Sequence, residues 1–370
     1  MGEKKSATTL CVRNKSTSDC YRYGKNFSGG TIPPALKRQK MCTKLGGVLR
    51  LTLLDKLACT TCGRSPLSYK GEPRSDREDI CEGELKCNEC GDSFPIHEGI
   101  IMFNVSRGET LREMSQWELF AESEGWLDMN EKYLESLPSA GSNVLMKNDT
   151  MNWVYHEYNF FRMIKSLNIE NKSVLDLGTG RCWSSKWMSL MGGEVVAFDA
   201  MAHPTVGLGA GAVFIKNHNI YFERVQGDFS LLPFKNGAFD IVFSSGSVHH
   251  SVDISRTVSE ISRVVKPGGV VAMANEMASA FYRKTEKCEM TGCQDGINEF
   301  AYRMTRLLTL FRKNKLKLAN IRESIIVYDK QSPYYQGIFA SAINATKWGT
   351  LLRLILRGGL VNCVLKKAAD

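Results

Sequence analysis

Two kinds of residue in this 370-residue chain are spaced for chemistry: paired cysteines, and glycines with acids set at the ends of apolar runs. Cys59-x2-Cys62 and Cys87-x2-Cys90 each put two thiolates on one knuckle turn. Four soft ligands suit a tetrahedral Zn²⁺, and a site whose four positions are all thiolates is structural. Further on, the apolar run Val174-Leu175-Asp176-Leu177 stops at Gly178-Thr179-Gly180, and a helical pattern starts near Arg181. A strand, a glycine turn and a helix in that order cradle a nucleotide-type ligand, because glycine lets backbone come close and a new helix offers unpaired N–H groups. Asp199 closes a second apolar run, where a carboxylate can take both hydroxyls of a ribose. Gly227-Asp228 closes a third run, a position suited to an adenine edge, and Ser244-Ser245 closes a fourth. Ser247-Val248-His249-His250 follows the fourth run on the edge that lines the crevice of an open α/β sheet. His250 could accept a proton there or simply shape the pocket; Glu276, ending a fifth run, is a second candidate base or a substrate anchor.

Five such motifs in one order, from Ser173 to Glu276 and including Val264-Val265-Lys266-Pro267-Gly268-Gly269, resemble the class I S-adenosylmethionine-dependent methyltransferases, specifically their type 11 domain. The resemblance implies a Rossmann-like, seven-stranded, mostly parallel sheet with helices on both faces. It implies Asp176, Gly178 and Gly180 around the methionine end of S-adenosylmethionine, Asp199 at the ribose and Asp228 with Phe229 at the adenine. Ser244 joins that cofactor set. One departure stands out: Cys182 occupies a loop position where the family usually has glycine, so a positive φ there would carry strain. Residues around the cysteine pairs, through Phe94-Pro95-Ile96-His97-Glu98-Gly99-Ile100-Ile101, are similar to the Trm112-like zinc ribbons. Such ribbons partner methyltransferases in trans; here one would be fused in cis as a small N-terminal β domain.

Composition bounds the rest. The length suggests two domains with tails, and no signal peptide or charge-free membrane-spanning run is expected. Cysteines used this way fit a reducing compartment, hence a cytoplasmic protein. Residues 1–50 carry 11 Lys/Arg against 2 Asp/Glu, 51–280 carry 21 against 30, and 281–370 carry 16 against 7. The catalytic middle is therefore acidic, which disfavours nucleic acid, while the basic ends could touch anionic membrane.

The expected layout is a basic, largely disordered tail over 1–48, a zinc ribbon over 49–106, a helical connector over 107–150, a methyltransferase domain over 151–331 and a C-terminal extension over 332–370. Met1-Gly2 to Ser6 formally fits an N-myristoylation pattern that is read as accidental. Trp117 and Trp126 in the connector could pack on the core or roof the pocket, and Tyr155 and Tyr158 could face a substrate. Residues 296–315 read as a helix and 318–328 as a late strand. Residues 347–367 read as a terminal helix that either covers the domain or lies at a lipid interface, with Gly358-Gly359 interrupting it. The expected activity is methyl transfer to a small-molecule, sugar- or lipid-like acceptor, with structural zinc. The alternatives are an RNA base methyltransferase that holds RNA with the ribbon, and a non-catalytic ribbon scaffold. The oligomeric state is not legible.

Overall fold

Apolar runs in the middle of the chain become strands buried on both faces, as parallel strands are when helices cover each side. The computed structural model describes residues 49–70, 79–103, 108–128, 130–139, 150–284, 286, 297–322 and 346–369. The basic tail and the myristoylation-like pattern lie outside them. The first part holds β1 (Leu49–Arg50), β2 (Leu67–Lys70), β3 (Asp79–Ile80), β4 (Gly83–Cys87), β5 (Ser93–His97) and β6 (Ile100–Met102). In β5 burial alternates strictly, so one of its faces meets water. Helices α1 (Gly108–Ser123), α2 (Glu131–Ser136) and α3 (Thr150–Ile164) follow. The core then runs β7 (Ser173–Leu177), α4 (Trp183–Leu190), β8 (Glu194–Asp199), α5 (Gly211–His218), β9 (Glu223–Gln226), β10 (Phe239–Ser245), α6 (Ile254–Val264) and β11 (Val265–Ser279). It finishes with β12 (Tyr302–Arg303), α7 (Met304–Lys313), β13 (Leu316–Arg322), α8 (Lys347–Arg357) and β14 (Gly359–Lys367).

The sheet order is β13-β14-β11-β10-β7-β8-β9-β6-β5-β4-β2. The stretch from β9 to β13 is the expected seven-stranded Rossmann-like sheet, parallel except where β14 runs antiparallel between β11 and β13. Side chains alternate across β7: Leu175 and Leu177 pack with α6, α7 and α8 residues such as Val258, Leu307 and Leu354, whereas Val174 faces Phe160, Met188 and Phe214 of α3, α4 and α5. Strand order reverses between β7 and β10, and the crevice outside their carboxyl ends is where such sheets bind ligands.

Two features add to or correct the expected layout. The small N-terminal β region is present as expected, and it is joined to the central sheet: β6 pairs in parallel with β9, so its strands extend that sheet. Leu57 bridges Phe234, Ala58 N–H bonds the Pro233 carbonyl, and Arg224 donates to the Glu98 carbonyl at 2.6 Å. Secondly, the apolar C-terminal stretch is half helix, half strand. Gly358 at φ 74° and Gly359 at φ 134° end α8, and a Cβ on Gly358 would meet the Ala278 carbonyl at 2.5 Å. That close approach lets β14 enter the sheet beside β11, so these residues complete the core rather than extend it. Over 296–315, the described residues form a helix only from Met304 to Lys313; β12 precedes it. Over 318–328, the described strand ends at Arg322.

Candidate active site

The loop after β7 makes three left-handed turns in five residues, at Gly178 (φ 74°), Gly180 (φ 52°) and Cys182 (φ 60°). The non-glycine at the third position is therefore strained, as the sequence suggested. Its fully buried thiol contacts the Leu208 carbonyl rather than filling the crevice. Beneath the loop, Asp176 accepts hydroxyl bonds from Thr179, Ser184 and Ser185. Burial pushes its carboxyl up to about 6 against the pull of those hydroxyls. Asp176 thus ties the loop to the first turn of α4.

Above the loop is a cavity of about 320 Å³ at the carboxyl ends of β7, β8 and β10. Gly178, Gly180, Asp199, Asp228, Phe229 and His250 line it. Asp176, Ser244 and Glu276 do not. The Asp199 carboxylate accepts from Gly180 N–H at 2.8 Å and Met201 N–H at 2.9 Å, which fixes the acid against the glycine loop. Its burial raises its pKa, and these N–H bonds oppose the rise. Asp228 accepts from Ser230 N–H at 2.7 Å and from Thr110 Oγ1 at 3.1 Å.

Glu276 is positioned by a break in register between Met273 and Glu276, where Asn275 sits at φ 57°. Its carboxylate accepts from the backbone N–H groups of Ser247, Val248 and His249, from Ser244 Oγ and from His249 Nδ1 at 3.0 Å. Burial works against its charge, but the His249 bond and the backbone donors hold the carboxyl below its ordinary range. In this form it anchors the turn that carries the histidines. His250 Nδ1 donates to the Asn298 carbonyl at 2.6 Å and lies 3.1 Å from Glu113 Oε1. Burial alone would lower its pKa; the bond to Glu113 and that residue's charge outweigh it and raise the imidazole to about 9. At neutral pH His250 holds a proton instead of awaiting one.

Of the roof, Trp117 and Trp126 were legible beforehand as candidates; the rest of the α1 face was not. Thr110, Glu113, Met114, Trp117 and Ala121 all line the cavity from α1, with helical spacing that puts them on one face. Trp117 stacks with Trp126 at 6.5 Å between centroids, and Arg181 lies 5.0 Å over the Trp126 ring. The two connector tryptophans therefore roof the pocket. Tyr155 and Tyr158 are not among the lining residues. Glu113 and Asn298 bond each other across 185 residues, so no local signal marks them; only the α1 stripe could have.

In the ribbon, the Cys59 and Cys90 sulfurs are 3.6 Å apart, as are those of Cys62 and Cys87, and all four lie within 4.8 Å of one another. That spacing fits four sulfurs at the usual ~2.3 Å from one tetrahedral Zn²⁺.

Comparison with known proteins agrees with this division. Residues 175–273 match the "Methyltransferase domain" family and residues 50–99 match "Trm112p-like protein". A glycine/sarcosine/dimethylglycine N-methyltransferase of Actinopolyspora halophila is 44% identical over 64 residues, 17% of this chain and 11% of that protein. A sterol 24-C-methyltransferase of Gibberella zeae is 25% identical over 229 residues, 53% of this chain and 57% of that one. Among solved structures, the geranyl diphosphate C-methyltransferase of Streptomyces coelicolor A3(2) shares the fold: the TM-score is 0.50 at 14% identity, covering 72% of this chain and 100% of that one. The chain spans between about a tenth and somewhat over half the length of the curated relatives it matches first.

Proposed function

We propose that this chain is an S-adenosylmethionine-dependent methyltransferase acting on a small, largely apolar acceptor, with a structural zinc ribbon built into its sheet. One observation carries the reading: two acids, Asp199 and Asp228, flank the Gly178–Gly180 loop inside one cavity roofed by aromatic rings. Gly178 and Gly180 both line the cavity, so their backbone can come close to a cofactor lying against the loop. When bound, the cofactor supplies an activated methyl on a sulfonium. Asp199 would hold its ribose, Asp228 and Phe229 its adenine, and Gly178 and Gly180 would border its amino-acid end. The Asp199 and Asp228 carboxylates lining this crevice favour a cation there. Alignment of the acceptor behind the methyl supplies much of the rate.

A protonated His250 donates a hydrogen bond or orients the acceptor; it does not remove a proton at neutral pH. Acceptors needing no prior deprotonation, such as a thiolate or an electron-rich carbon, suit that wall better than a neutral hydroxyl. Met114, Trp117 and Trp153 give the outer cavity an apolar lining, and the relative named as a sterol methyltransferase supports the same acceptor class. The acidic middle of the chain weighs against RNA. Zinc-ligand thiolates fit a reducing, cytoplasmic setting. The test is release of S-adenosylhomocysteine from cofactor mixed with fractionated cell extracts. Activity in the small-molecule and lipid fractions supports the reading; activity confined to the RNA fraction overturns the acceptor, and activity in none favours the scaffold.

A further inference from the structure

Helix α8 is apolar on both faces. Leu351 and Leu354 are buried against the sheet, while Trp348, Leu352 and Leu356, four residues apart, face outward with 72%, 54% and 45% of their surface exposed. The outward face continues past the helix. Phe281 N–H bonds the Ile355 carbonyl at 2.9 Å, which sets Phe281 and Tyr282, 50% and 63% exposed, beside the last turn of α8. Five of the ten exposed large hydrophobic side chains among the described residues thus gather here.

The surroundings are basic. Arg283, Lys284 and Arg357 are exposed next to the patch, and Lys347 Nζ lies 5.6 Å over the Trp348 ring. Helix α8 itself carries Lys347, Arg353 and Arg357 and no acid. Glu286 is taken up by Arg303 and Arg306. This charge selects among occupants. A second copy would bring like charge against like, whereas an anionic bilayer offers diffuse negative charge outside and hydrocarbon beneath. Aromatic rings at both ends of the patch suit the headgroup level. An 11-residue helix is about 16 Å long, too short to span, and among the described residues no helix is long and apolar enough to cross a membrane.

We infer that α8 and residues 281–284 form a peripheral docking surface for anionic lipid bilayers, with α8 lying in the headgroup plane. The inference does not depend on the methyl-transfer reading. The test uses the full chain with phosphatidylcholine vesicles, with and without phosphatidylglycerol, at low salt. Three outcomes are expected. The protein sediments with the anionic vesicles. The Leu352→Glu/Leu356→Glu variant, its melting curve unchanged, partitions about tenfold more weakly or worse. Brominated acyl chains quench tryptophan emission in the wild type, and Trp348→Phe removes most of that quenching without abolishing binding. The Trp348→Phe comparison also separates this surface from the basic N-terminal tail, whose attraction would leave quenching by the acyl chains unaltered. Failure to sediment overturns the inference, as does unchanged quenching in Trp348→Phe. A self-associating wild type that the double glutamate variant turns monomeric, with vesicle binding unaltered, overturns it in favour of a contact between copies.

Discussion

Gly178 and Gly180 share one loop and one left-handed backbone, yet the structure predicts unequal consequences for adding a single methyl group. At Gly180 the new Cβ meets nothing within 4 Å, so Gly180→Ala incurs only the left-handed penalty, about 1 kcal/mol. At Gly178 it comes 2.3 Å from both Cβ and Oγ of Ser247 and 3.0 Å from the Phe229 ring. Ser247 must move, and its Oγ bond to the Leu177 carbonyl at 2.9 Å goes with it. Adding about 1 kcal/mol for that bond and about 1–3 for overpacking to the backbone term gives roughly 3–5 kcal/mol for Gly178→Ala. Because Ser247 and Phe229 both line the cavity, binding of S-adenosylhomocysteine should also weaken, by about tenfold or more. Urea unfolding and titration calorimetry on the two variants measure both effects. Equal losses at the two positions, or a Gly178→Ala protein that binds like wild type, would refute the account of the loop.

Zinc release by a chelator should lower the melting temperature of the whole sheet, because β6 pairs with β9 and Leu57 sits on Phe234; one zinc per chain is expected, and unchanged melting after its removal would rule out a structural role. Glu113→Gln should drop the His250 pKa well below its present value of about 9, read by NMR titration of the imidazole; an unmoved resonance would show that Glu113 is not what holds the proton. Glu223 is buried beside Tyr221 and Arg50, and burial raises its carboxyl from 4.5 to about 7. Since the folded value is the higher one, its contribution is fully present below pH 4.5 and is lost as pH climbs through about 7. Melting temperature should accordingly fall over that window, and Glu223→Gln should flatten the fall; equal slopes in the two proteins would contradict the assignment.

What was readable beforehand was whatever short range dictates. The β7 loop announces itself because glycines, an apolar strand and a helix start are contiguous, and the cysteine knuckles do so because ligand spacing is local. Cys182 could be marked as strained for the same reason, and its φ of 60° agrees. Long-range pairing was not readable. Nothing in Ile100–Met102 says that its partner is β9 rather than solvent. The break at Gly358-Gly359 in the 347–367 stretch was visible in the sequence; that these two glycines with positive φ redirect its second half into the sheet was not. Glu276 read as a candidate base or substrate anchor; the turn it anchors instead lies 27 to 29 residues earlier in the chain. The roof on α1 needed both a helical register and a knowledge of which side of the sheet it covers.

The central claim is one cofactor cavity in which Asp199 and Asp228 flank the glycine loop. Titration calorimetry with S-adenosylmethionine on wild type and Asp199→Ala tests it most directly. The account predicts micromolar binding by the wild type and none by the variant at the same concentrations. A wild-type protein that takes up no cofactor at millimolar concentration, or an alanine variant that binds as tightly as its parent, would contradict it.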